Sequence, residues 1–80
     1  MPTKAQHHRH YRQVPSFLRA LREEAGLTQR ALGELLKRPQ SWVYSCEAGI
    51  RRVDVGEFCQ WCEACDIDPL SGFKRFLGLR

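Results

Sequence analysis

The residues best suited by type and spacing to do chemistry are the thiols. The run Cys59-Gln60-Trp61-Cys62-Glu63-Ala64-Cys65 sets three cysteines at three-residue intervals, and Cys46 supplies a fourth. Zinc and iron–sulfur centres are held by sets of thiolates, so this spacing raises metal binding or thiol redox sensing as one use. His7, His8 and His10, interrupted by Arg9, form a second set of candidate ligands. No nucleophile–base pair, phosphate loop or carboxylate pair in a plausible cleft is present. The histidines lie where nothing would hold them in place. Catalysis and a small-molecule substrate are therefore not expected.

The element that carries the thiols decides what they can do. Asp54 and Glu57 form a D-x-x-E capping box, and Val53 and Phe58 flank it as a hydrophobic staple. An unbroken helix is expected from there to about Cys65. A helix rises about 1.5 Å and turns about 100° per residue, which sets Cys59 and Cys65 roughly 9 Å apart along the axis and about 120° apart in direction. Two thiolates on one tetrahedral zinc lie roughly 3.8 Å apart. Cys59 and Cys65 cannot close that gap. A neighbouring pair, Cys59 with Cys62 or Cys62 with Cys65, could share a metal only with help from Cys46 or a histidine.

Disulfides are no better served, since Cβ atoms at i and i+3 lie about 5–6 Å apart against the ~3.8 Å that the bond prefers. Phe58, Cys62 and Cys65 instead fall at i, i+4 and i+7, a core-facing stripe with Cys59 at its edge. Free cysteine behaves as a small hydrophobe. Core packing is the expected role, with no metal and no cofactor, and thiol sensing stands as the alternative.

Eighty residues make one small domain. No stretch approaches the roughly 18 consecutive apolar residues of a membrane span. The segment MPTKAQHHRHYRQVP has no apolar core of a secretory signal. A cytoplasmic, reducing setting is expected, where structural disulfides are uncommon. The net charge of +4 is uneven: residues 1–52 carry ten Lys/Arg against four Asp/Glu, and residues 53–80 carry three against five. One end is basic and suits a polyanion.

Residues 1–13 have few apolar side chains and read as a flexible basic arm, with any helix confined to the stretch near Tyr11. Residues 14–80 read as a domain of short helices. The first is expected from about Pro15, a good first-turn residue, to Ala25, with Leu18, Leu21 and Ala25 on one face and Gly26 as its stop. Thr28 caps a second helix through Leu36, with Leu27 and Leu32 as its staple. A third covers Gln40 to Ala48, stopped by Gly49, with a poorly marked start at Arg38-Pro39. Asp68 caps a fifth, with Pro69 at its first position, ending near Leu77.

Helices two and three, joined near 37–39, have the size and spacing of a helix-turn-helix unit. The run GLTQRALGELLKRPQSWVYSCEAGIRRVDVGEF resembles the Cro-like phage-repressor class of helix-turn-helix regulators, the XRE type. The resemblance covers roughly residues 11–77 and includes the Leu-Thr-Gln opening of helix two, the Gln40-Ser41 opening of helix three, Glu47 and Gly49 closing it, the Arg51-Arg52 loop, and the Asp-Pro start of helix five. It implies an all-α, compact five-helix bundle of the phage-repressor-like DNA-binding type, with the helix-turn-helix at about 28–48. It implies a sequence-specific transcriptional regulator of double-stranded DNA, a repressor acting as a homodimer with helix 40–48 in the major groove.

Gln40 can bond adenine with two hydrogen bonds, and Ser41, Tyr44 and Ser45 share or extend its face, so these four are the expected base contacts. The resemblance implies a phosphate contact at Gln29, and Arg30, Lys37, Arg38, Trp42, Arg51 and Arg52 are the other expected phosphate contacts. Trp42 is expected to be an exposed aromatic near DNA, because Val43 and Cys46 mark the inward face. The resemblance pairs Arg22 with Glu47 across helices one and three. Leu70, Phe73, Phe76 and Leu77 are the expected dimer surface, being apolar beyond what a small core needs. Two residues depart from the family pattern: Lys37 stands where glycine is usual, and Gly33 where alanine is usual. A protein-interaction module of antitoxin type is a further alternative. The three residues after Leu77 leave little tail for a partner.

Overall fold

The computed structural model of the chain describes residues 9–78. Five helices and no strand occur among them: α1 (Arg9–Glu24), α2 (Gln29–Leu36), α3 (Gln40–Glu47), α4 (Val55–Ala64) and α5 (Pro69–Leu77). No described helix is long and apolar enough to cross a membrane.

The helix starts follow local chemistry. Thr28 accepts from the Ala31 N–H, and Asp68 from the Ser71 N–H. Asp54 and Glu57 complete a reciprocal capping box on α4. Pro39 stands at the N-cap of α3 and offers no side-chain cap. Lys37 ends α2 at φ 57°, ψ 43°, in the left-handed region, where an L side chain costs roughly 1–2 kcal/mol. Asp66 takes the same conformation after α4, at φ 62°.

The first helix begins earlier than its sequence suggests. Pro15 does not open α1 but sits inside it, and residues 9–13 of the expected arm are helical. An interior proline costs about 3 kcal/mol, and tertiary contacts from the first two turns offset it. Tyr11 Oη accepts the Val53 N–H at 2.9 Å, the Arg52 guanidinium lies 5.2 Å from its ring, and Val14 packs on the core. The remainder of the arm, with Lys4, His7 and His8, lies outside the described residues.

The core joins Leu18 and Leu21 of α1, Leu32 of α2, Val43 and Cys46 of α3, and Trp61, Cys62 and Cys65 around α4. Trp61 is its largest member and donates its indole N–H to the Leu18 carbonyl at 3.1 Å. Cys62 and Cys65 thus share an inward helix face centred on Trp61 rather than on Phe58, which is only half-buried, as is Cys59. Cys62 lies against α5, where a Cβ on Gly72 would come within 2.8 Å of its Sγ. Arg75 of α5 reaches back to Glu24 of α1 at 2.8 Å.

Candidate nucleic-acid interface

α2 and α3 meet closely because residue 33 has no side chain. A Cβ there would stand 2.6 Å from the Arg38 carbonyl oxygen, whose own residue donates its N–H to the Gly33 carbonyl at 2.8 Å. The three-residue turn that aims α3 therefore depends on this approach.

α3 is fixed to the scaffold by a chain of polar contacts. Arg22 donates from Nε and Nη2 to the two oxygens of Glu47, at 2.6 and 3.0 Å, and from Nη1 to the Leu27 carbonyl at 2.7 Å. The side chains of Arg22 and Glu47 are only 11% and 4% exposed. Glu47 also accepts from the Gln29 amide at 3.1 Å, and Gln29 in turn accepts from Gln40 at 3.5 Å. One end of this relay is buried, and the other is the exposed first residue of α3.

Gln40, Ser41 and Tyr44 form the open outer face of α3, with Tyr44 55% exposed, while Ser45 is half-buried beside them. Val43 and Cys46 are fully inward. Arg30, Lys37, Arg38 and Arg52 are exposed around this face, and Gln29 and Arg51 are half-exposed.

Trp42 is not the free aromatic expected from the sequence. It is half-buried, packs against the core and lies 6.2 Å from the Trp61 ring. The guanidinium groups of Arg38 and Arg51 stand 4.7 and 5.0 Å from its ring centre. Periodicity placed Trp42 outside the inward stripe, but Trp61 reaches up from α4 and the two arginines close over it.

Glu57 carries more than its cap. Its carboxylate receives Arg51 through two bonds of 3.0 Å, lies 3.7 Å from Arg38, and accepts the Asp54 N–H at 3.1 Å. The Arg51 hydrogen bonds hold its carboxyl below the usual range, against the opposing effect of burial. The sequence signalled the cap but not the arginines, which are brought in by the turn before α3 and the loop after it.

Three of the four thiols, Cys46, Cys62 and Cys65, are enclosed in the core. Burial pushes Cys46, Cys62 and Cys65 each up to about 11. Nucleophiles and metal ligands act as thiolates. Among the described residues no three His, Cys, Asp or Glu side chains are grouped to hold a metal ion. Cys59 is half-exposed and lines an apolar groove of about 380 Å³ with Val55, Phe58, Leu70, Phe73 and Phe76. Leu70 is 63% and Phe73 48% exposed, and Phe76 is half-buried against Phe17, with ring centres 5.3 Å apart.

Two short helices joined by a tight turn, with the second presenting an open polar face, define a helix-turn-helix protein. The sequence comparisons agree: residues 16–70 match a family described as "Helix-turn-helix domain", and the chain belongs to that family, as a DNA-binding regulator of XRE type. It is similar to an XRE-family like protein from Pseudomonas syringae pv. tomato strain DC3000, at 35% identity and a TM-score of 0.79, over 86% of this chain and 84% of that one. It is also similar to the restriction-modification controller protein C.AhdI from Aeromonas hydrophila, at 35% identity and a TM-score of 0.68, over 82% of this chain and all of that one. No curated sequence matches the chain.

Proposed function

We propose that the chain is a sequence-specific, double-stranded DNA-binding transcriptional repressor that acts in the cytoplasm as a homodimer, with α3 of each subunit in the major groove. The observation that carries this reading is the polar face Gln40-Ser41-Tyr44, held outward by the relay from Arg22 through Glu47 and Gln29. Gln40, Ser41, Tyr44 and Ser45 contact base edges. Gln29, Arg30, Lys37, Arg38, Arg51 and Arg52 contact phosphates, and Trp42 serves that contact through the two arginines on its ring. The likeness to a restriction-modification controller protein supports a regulatory role.

The dimer forms through Leu70, Phe73, Phe76 and Leu77 of α5. The apolar groove beside Leu70 and Phe73 supports this, since a twofold contact covers one such patch with its copy. Selection on random duplex DNA tests the whole reading. It should return a twofold-symmetric site with half-sites about 34 Å apart. Recovery of no preferred sequence would overturn it. Sedimentation of Phe73→Asp should show monomer where the parent chain shows dimer.

A further inference from the structure

The carboxylate of Glu57 sits where α3 is bracketed by arginines. Arg38 comes from the turn before α3 and Arg51 from the loop after it, and both converge on one carboxylate: Arg51 donates to both of its oxygens and Arg38 stands 3.7 Å from Oε2. The Glu57 side chain is 12% exposed, whereas Arg38 and Arg51 keep 43% and 39%. The anion is thus enclosed and the cations are open on their far sides. Both guanidinium groups also lie on the Trp42 ring, and Arg51 Nη1 is further tied to the Arg52 carbonyl at 2.7 Å. A bidentate arginine–carboxylate pair fixes a plane as well as a distance. Neither end of α3 can turn without disturbing this cluster.

We propose that Glu57 is a positioning residue for DNA binding: its carboxylate acts as an internal stand-in for phosphate, holding Arg38 and Arg51 on the Trp42 indole so that both meet the DNA backbone in one fixed arrangement. This rests on the reading that α3 docks on DNA. Phosphate contacts set the register of a recognition helix, so the orientation of these cations governs how α3 meets the bases. Glu57 also cancels one of the two positive charges. It therefore restrains binding to arbitrary sequence, which depends on charge alone.

The test compares the parent chain, Glu57→Gln and Arg51→Lys, each on the duplex selected by the parent and on an unrelated duplex, across a salt series. Glutamine keeps an oxygen for the Asp54 N–H and so preserves the helix cap. Glu57→Gln should bind the unrelated duplex more tightly, with a log–log salt slope steeper by about one. Its ratio of selected to unrelated affinity should fall about tenfold, as lost register would dictate. Arg51→Lys keeps the charge but loses the two-pronged geometry, so its slope should match the parent while its ratio falls. The indole N–H resonance of Trp42 should shift in both variants, and that of Trp61 should stay. Parental ratios and slope in folded Glu57→Gln would overturn the proposal; should that variant not fold, a parental ratio in Arg51→Lys would do the same. If the parent selects no sequence, the DNA-binding reading itself fails, and this proposal with it.

Discussion

Arg22 and Glu47, 25 positions apart in sequence, form a bidentate pair that joins α1 to the last residue of α3. The pair is nearly sealed from solvent, and Glu47 also holds the Gln29 amide. Its removal from one side strands a buried charge. Glu47→Ala should cost about 3–5 kcal/mol, a large part of the stability of a domain this small. Urea unfolding measures it, and an unchanged midpoint would show the pair to be a loose surface contact.

Gly33→Ala should also destabilise, by about 1–3 kcal/mol, because the added Cβ meets a backbone oxygen rather than a yielding side chain. The better helix propensity of alanine is worth only about 1 kcal/mol in return. Thermal melting gives the sign. A gain in melting temperature would mean that the turn relaxes freely.

Acid should loosen the α3–α4 junction. The Glu57 carboxyl titrates lower in the folded chain than in the unfolded one, chiefly through its Arg51 hydrogen bonds. Its contribution to stability is complete above the unfolded value of about 4.3 and is lost as pH falls through the lower folded value. Unfolding measured from about pH 6 down to 3 should show a smaller acid loss in Glu57→Gln than in the parent chain. Equal losses would place the acid sensitivity elsewhere.

Alkylation should separate the four thiols. Cys59 is half-exposed, whereas Cys46, Cys62 and Cys65 are buried with raised pKa values of about 11. Iodoacetamide at about pH 8, below those values, should label Cys59 first and the others only on unfolding. Rapid labelling of Cys62 or Cys65 in the folded chain would revive the thiol-sensor alternative.

Much of this arrangement is legible in the sequence because it is local. The caps at Thr28, Asp54 and Asp68 need only a side chain and an N–H three residues on, so short motifs reveal them. The helical reading of Cys59–Cys65 follows from the same local logic. What sequence alone misreads depends on partners far along the chain. Pro15 looks like a helix start until Tyr11 is seen accepting from Val53, 42 positions away. Trp42 looks exposed until Trp61, Arg38 and Arg51 close on it. Glu57 reads as a cap, and its second role appears only when the two arginines arrive from either end of α3.

Base reading by the outer face of α3 is what the proposed function turns on. Binding-site selection with Gln40→Ala and with Ser41→Ala, set beside the parent chain, tests it most directly. Each variant should lose preference at particular positions of the site, with about 1–3 kcal/mol of discrimination gone at each. Arg52→Ala should instead weaken all sequences alike. The same preferred site, equally sharp, from all three chains would contradict the assignment of α3 as the recognition helix.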